Sequence, residues 1–493
     1  MDSAYVARHE RFVSGHNGTS VWEVQIVTSI GPLALLLRNL AVPWLFPTRD
    51  FSSGSSIHQI CKLLLDYLIT VVPILLSITL CSERLAFLVG VLVLCCVVLV
   101  LFSICEHIVL HRERPQWASI GDTIVSTRYD KRPVFVTYFR AHVFIATILG
   151  ILAVDFPSFP RRFAKAETFG YGLMDVGVGL FVVINGLVVD ARARFDRCAL
   201  AKNLKGSIPL VLLGVVRLLT VKFAGYHEHV SEYGVHWNFF FTLAAIKILS
   251  SFLAVCVSLR YLAAGFALVF ALSYEYALQW LGLKGIVLYG TGPADKRDNL
   301  FDANREGIIS VSGYMALYFF GVQLGSYLVK PRRQLKDYGR LLVQLINFSF
   351  LACVLLLVSD VYVDPPSRRM ANLTYVLWMI CLTFAQLTLF AAVQALVLLG
   401  TAVRLPVFSP GSEQKEPFKL FEPCLWRSIN FSALASFLLA NVITGFVNLN
   451  FRTLDAENYE CLVILLIYSF LVCTLVFLRY VRTVKQESVL KVD

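Results

Sequence analysis

The stretch DFPSFPRRFAKAETFG, residues 155–170, sets one carboxylate, Asp155, ahead of Arg161, Arg162 and Lys165. Guanidinium groups match phosphate oxygens bidentately, an ammonium is a compact point charge, and a carboxylate accepts protons. These types together could hold a phosphate-bearing ligand and move a proton. The plainer alternative is that the cations reach lipid headgroups while Asp155 caps a helix or pairs with Arg161. Two features favour a polar pocket. On the orientation derived below, the cations lie on the side of the membrane where basic residues are depleted. The next apolar segment, FGYGLMDVGVGLFVVINGLVVD, also carries Asp175 near its start and Asn185 deeper within it, with Gly172, Gly177 and Gly179 allowing close backbone approach. Pro157 and Pro160 are expected to stop helix propagation and hold the connection extended.

A second polar cluster is YHEHVSEYGVHWNFFFTLA, residues 226–244. It offers His227, Glu228, His229, Glu232, His236 and Asn238 beside Tyr226, Tyr233 and Trp237. The His-x-His spacing puts both imidazoles on one face only in an extended strand, and no further ligand pattern matches a zinc motif, so no metal is expected. The aromatics suit a membrane interface. Glu232, His236, Trp237 and Asn238 suit binding of a hydroxyl-rich headgroup.

The elements that must position these residues are membrane helices. The chain has 493 residues, 57% of them hydrophobic, and a mean hydropathy of +0.69, which excludes a soluble domain. A spanning helix needs roughly 20 apolar residues, and about thirteen segments qualify, centred near residues 35, 70, 97, 144, 179, 214, 247, 271, 319, 351, 386, 438 and 470. The expected fold is an all-α polytopic integral membrane protein, a bundle of about 13 transmembrane helices. The alternating segments of a membrane barrel are absent, as is any solenoid repeat. Residues 1–22 read as an N-terminal segment too polar for a signal peptide, 23–480 as one transmembrane domain, and 481–493 as a tail.

Orientation follows from Lys and Arg. With the N-terminus lumenal and the C-terminus cytosolic, cytosolic loops hold about 25 cations against about 14 on the other side. The net charge of +11 is then mostly topology, and no nucleic-acid partner is expected. The sequon at Asn17 falls on the lumenal side, whereas those at Asn347, Asn372 and Asn430 sit in or against spans and read as chance matches. The twelve cysteines show no C-x-x-C and read as unpaired thiols, with Cys81 and Cys461 the one pair near enough in depth to bridge. Among intramembrane charges, Lys62 and Asp66 stand at i, i+4 spacing and are expected to pair with each other, and His142 is expected to be a hydrogen-bonded core residue.

The chain resembles a known family, the inositol acyltransferases of glycosylphosphatidylinositol (GPI) anchor synthesis. The resemblance is carried by ILAVDFPSFPRRFAKAETFGYGLMDVGVG, YHEHVSEYGVHWNFFFTLA, ANREGIISVSGYMALYFFG and LANVITGFVNLN, with FVSGHNGTSVWE similar to the family's opening segment. It implies a thirteen-helix enzyme of the endoplasmic reticulum membrane. Such an enzyme transfers a long acyl chain, typically palmitoyl, from palmitoyl-CoA to the inositol 2-hydroxyl of glucosaminyl-phosphatidylinositol on the lumenal side. The resemblance also implies that the Asp and Lys of the first motif, here Asp155 and Lys165, are catalytic.

That chemistry accounts for the charge. A ring hydroxyl is a poor nucleophile, so attack on a thioester needs a general base and a donor for the developing oxyanion. Asp155 is the candidate base. Lys165 either stabilises the oxyanion or orients Asp155, and Arg161 and Arg162 are candidate phosphate clamps. No Ser-His-Asp or Cys-His signature calls for a covalent acyl-enzyme, and no cofactor is needed beyond acyl-CoA as co-substrate. Both substrates are amphiphiles among membrane lipids, so a lipid-open apolar groove is expected, with CoA phosphates held by basic loops near Arg128 to Arg132 or Arg332 to Lys336. The alternative is a secondary transporter of an anionic metabolite, disfavoured because the polar clusters lie at an interface rather than the bilayer midplane.

Overall fold

In hydrocarbon every backbone N–H and C=O must be bonded within its own segment, so apolar runs of about 20 residues become helices. The computed structural model describes all residues except 1–4, 6–7, 9–10, 13, 47–55, 112–132, 192–196, 225–229, 257–258, 293–296, 331–333, 403–421 and 490–493. In chain order its apolar helices are α1 (Val21–Leu45), α2 (Ile57–Ser77), α3 (Ser82–Glu106), α4 (Val134–Ala153), α5 (Leu173–Leu187), α6 (Cys198–Thr220) and α7 (Phe239–Cys256). They continue with α8 (Tyr261–Trp280), α9 (Arg305–Leu328), α10 (Leu335–Tyr362), α11 (Leu373–Gly400), α12 (Ala433–Asn450) and α13 (Asn458–Val484). Twelve are long and apolar enough to cross a membrane; α5 is the shorter one. Each of the thirteen centres expected from sequence falls inside one of these helices, and the chain is a polytopic, all-helical membrane protein. Among the described residues no strand forms; Gly18 and Thr19 only bridge to Tyr171.

By contacts the chain divides into two compact units. One comprises Ser20–Phe163, Pro331–Asn347 and Phe384–Asp493 and contains Asp155; the other comprises Met1–Thr19, Ala164–Lys330 and Phe348–Thr383 and contains Lys165. The division falls inside the first motif, between Phe163 and Ala164.

In the Asp155 unit, α1 packs on α2 and α3, while α4 packs on α12, α13 and the short helix Leu425–Phe431. A buried ion pair holds its interior. Arg38 donates to Asp66 through Nε at 2.7 Å and through Nη2 at 3.2 Å, and both side chains are almost wholly buried. Asp66 also accepts from the Leu425 N–H at 2.9 Å, at the start of that short helix. The expected Lys62–Asp66 pair is therefore corrected: Asp66 turns to Arg38, whose fork meets both carboxylate oxygens, and Lys62 donates to the Glu422 carbonyl. His142 is a core residue as expected. Its ring lies on Trp426 with centroids 5.8 Å apart and planes 8° from parallel.

In the Lys165 unit, α9 packs on α5 and α8. The α5–α9 contact is close because small residues face each other. A Cβ at Gly186 would stand 2.2 Å from the Tyr318 carbonyl oxygen, and one at Gly321 or Gly325 would stand 2.4 or 2.3 Å from carbonyls of α5. All twelve cysteines are unpaired, Cys81 and Cys461 among them.

Candidate functional site

Asp155 lies two residues past the end of α4 and is 5% exposed. The connection that follows is not extended, as the prolines had suggested, but a series of turns. Phe156, Phe159 and Phe163 are buried and anchor it by apolar burial. Proline supplies no N–H, so the turn carbonyls need another donor. Arg161 provides it, through Nη2 to the carbonyls of Val154 (3.0 Å), Phe156 (3.1 Å) and Phe159 (2.7 Å). Burial lowers the Arg161 pKa to about 10 against the pull of Asp155, which leaves it cationic at neutral pH. Arg162 is spread over Glu23 at the start of α1, at 3.0 Å, and Glu83 at the start of α3, at 2.5 Å. Both arginines, read from sequence as phosphate clamps, thus have partners within their own unit. Asp155 itself accepts from Asn448 Nδ2 of α12 at 2.8 Å.

Lys165 belongs to a network of four charged side chains within its own unit. Its Nζ donates to Glu232 Oε1 at 2.5 Å, and Arg368 stands 3.9 Å from the same oxygen. Arg368 Nε bonds Asp175 Oδ1 at 2.6 Å, while Asp175 Oδ2 accepts from the N–H of Ala166, the residue after Lys165, at 2.9 Å. Lys165 is therefore held twice, by its side chain through Glu232 and by its backbone through Asp175. Arg368 serves both carboxylates. The N-terminal segment adds backbone support: Glu167 N–H donates to His16 O at 2.8 Å and Thr19 N–H to Tyr171 O at 2.9 Å.

Burial would raise the Glu232 carboxyl, but Lys165 and Arg368 outweigh it and hold the pKa at about 2. A carboxyl whose folded pKa is depressed contributes stability above its unfolded value, and that contribution is lost as pH falls toward the folded value. Thermal unfolding in micelles should therefore show a drop in stability from about pH 4.5 downward that is smaller in Glu232→Gln. Equal pH profiles for the two proteins would count against the ion pairing.

Of the remaining sequence candidates, His236, Trp237 and Asn238 follow Glu232 closely in the chain. Val235 N–H donates to Ala303 O at 2.7 Å and His236 N–H to Asn304 Oδ1 at 2.8 Å. A Cβ at Gly307 would strike the Trp237 ring at 2.3 Å, and Gly234, at φ +106°, adopts a conformation that favours glycine. The A-N-R-E-G run thus seats the 233–238 segment. His236 and Trp237 line a cleft of about 410 Å³ whose other walls are mostly apolar, among them Phe241, Ala244 and Ile248. Asn238 caps α7, its Oδ1 accepting from Phe240 N–H at 3.0 Å. Asn185 is exposed and bonds the Phe181 carbonyl of its own helix, so it does not join Asp175. Tyr226, His227, Glu228 and His229, and the basic residues Arg128 to Arg132, Arg332 and Arg333, lie outside the described residues.

Two site residues escaped the sequence reading. Arg368 carried a signal: P-P-S-R-R after α10 repeats the proline-then-paired-arginine pattern of P-R-R at 160–162. Asn448 sits in one of the resemblance motifs but had no charge to mark it.

The fold and site define a class: a polytopic helical membrane protein with a buried carboxylate just past the end of α4 and a paired charge network about Lys165. Within that class, the chain belongs to the GWT1 family, which it matches over residues 5–479. It is 34% identical to the glucosaminyl-phosphatidylinositol-acyltransferase PIGW of Bos taurus over 498 residues, covering 96% of this chain and 97% of that protein. It is also 34% identical to the GPI-anchored wall transfer protein 1 of Aspergillus fumigatus over 503 residues, with 95% and 96% covered. To the phosphatidylinositol-glycan biosynthesis class W protein of Dictyostelium discoideum it is 29% identical over 522 residues, with 97% and 98% covered.

Proposed function

We propose that this protein is an acyl-CoA-dependent O-acyltransferase of GPI-anchor biosynthesis. It moves a long-chain acyl group, palmitoyl by family expectation, to the inositol 2-hydroxyl of glucosaminyl-phosphatidylinositol. The reaction takes place on the lumenal face of the endoplasmic reticulum membrane, with the N-terminus lumenal and the C-terminus cytosolic. The observation that carries the assignment of roles is Asp155, a buried carboxylate just past the end of α4, oriented by Asn448. Relatives along nearly the whole chain named for this activity support the reaction class.

In this reading Asp155 takes the hydroxyl proton as the inositol oxygen attacks the thioester carbon. The new C–O bond forms, the carbonyl electrons move to oxygen, and collapse of that oxyanion breaks the C–S bond and expels the CoA thiolate, which ends protonated. Lys165 is the orienting or oxyanion-stabilising cation. An ammonium has three N–H donors, Glu232 takes one, and the side chain is 40% exposed.

The test is transfer of labelled palmitoyl from palmitoyl-CoA to glucosaminyl-phosphatidylinositol, in membranes holding this protein as the sole such enzyme. Alkali-labile label on inositol is expected, with Lys165→Met about 100- to 1,000-fold slower at matched protein levels. No label from wild type would remove the proposal and return the transporter to consideration. Full activity in Lys165→Met would remove that residue's role.

A further inference from the structure

Asn448 is half-buried near the end of α12. As the base of the acyl-transfer reading Asp155 accepts, and the group facing its Oδ2 is the Asn448 NH₂, at 2.8 Å. That leaves Asn448 Oδ1 as an acceptor on the other branch of the amide, buried and without a hydrogen-bond partner in the structure. A buried acceptor left unpaired costs free energy unless a ligand supplies the donor. The only protons a polyol offers are those of its hydroxyls.

A cleft is lined by chain neighbours of the pair rather than by the pair itself. Phe156, the residue after Asp155, and Phe451, which ends α12 by donating its N–H to Val447 O at 2.8 Å, both line this cleft of about 380 Å³. Arg452, Asp455, Tyr459 and Glu460 give it polar walls. Most of the remaining walls, Ala456, Val463 and Ile464 with the two phenylalanines, are apolar.

We infer that Asn448 is a substrate-binding residue and that Asp155 and Asn448 form a two-point acceptor for neighbouring hydroxyls of the inositol ring. One hydroxyl donates to Asp155 and is the one acylated; its neighbour donates to Asn448 Oδ1. The inference rests on the acyl-transfer reading above. If the reacting group is the 2-hydroxyl, the neighbour is fixed by the chemistry of the substrate: position 1 carries the phosphodiester, so the free vicinal hydroxyl is at position 3. Asn448 thereby selects which hydroxyl faces the base, a discrimination that a lone carboxylate cannot make.

The experiment pairs two proteins, wild type and Asn448→Ala, with two acceptors, glucosaminyl-phosphatidylinositol and its 3-deoxy-inositol analogue. Wild type should lose about 10- to 100-fold in kcat/KM on the 3-deoxy acceptor, and Asn448→Ala a similar factor or more on the natural one. The variant should then distinguish the two acceptors by less than about threefold, because the contact is already gone. Any loss from a displaced Asp155 falls on both acceptors alike and cancels in that ratio. Should the variant discriminate as strongly as wild type, or wild type not discriminate at all, the inference is overturned, and the wild-type arm alone decides this even if the variant folds poorly. Transfer by wild type to neither acceptor would instead overturn the acylation reading, and this inference with it.

Discussion

Asp155→Asn should lower acyl transfer by about 100- to 10,000-fold while leaving the protein folded and in the membrane, the range expected when a positioned general base is removed. The substitution is nearly isosteric, and its amide oxygen can still accept from Asn448 Nδ2, so the bond recorded at 2.8 Å has a replacement. What is lost is the ability to take a proton. The measurement is label transfer at matched protein levels, with the melting temperature in micelles as the control for folding. A variant within tenfold of wild type would show that Asp155 is not the base, and Glu232 or His236 would be examined next. His142→Ala makes the contrast: it removes a ring stacked on Trp426 and is expected to cost stability before chemistry.

The second large effect is on stability. Arg368→Leu should destabilise the protein by about 3–5 kcal/mol, because it leaves a buried carboxylate without its cation. Asp175 is 1% exposed and takes Arg368 Nε at 2.6 Å, and Glu232 loses its second cation in the same substitution. Both carboxylates hold Lys165, so transfer should fall as well. The double variant Arg368→Leu with Asp175→Leu should recover part of the stability, since two apolar side chains replace an unpaired charge. Thermal unfolding of the single and double variants decides it. A single variant within about 0.5 kcal/mol of wild type would show that the network contributes little.

The family, the thirteen helices and the two catalytic candidates were legible before any coordinates. Membrane insertion depends on the summed transfer free energy of about 20 consecutive residues, a local quantity that a reader of the sequence can add up. A motif such as D-F-P-S-F-P-R-R-F-A-K likewise announces itself by being polar where its surroundings are not. Pairings were less legible. Asp66 had Lys62 one helical turn away, yet Arg38, 28 positions distant, takes it.

Lys165 pairs with Glu232, 67 positions on, Asp175 with Arg368, 193 positions on, and Asp155 with Asn448, 293 positions on. Sequence spacing is silent at such separations, because which faces meet is set by helix packing, as where Gly186, Gly321 and Gly325 let α5 and α9 approach. The same holds for the two arginines of the first motif. Their charge and position were plain in the sequence, but tertiary structure turned Arg161 onto the carbonyls of its own turns and Arg162 onto Glu23 and Glu83. The sequence by itself determined that this protein is a polytopic helical membrane protein, roughly how many apolar helices it has, and where its charge gathers. Tertiary structure alone decided which charge answers which, because each pairing is the outcome of many small packing terms summed across helices far apart in the chain.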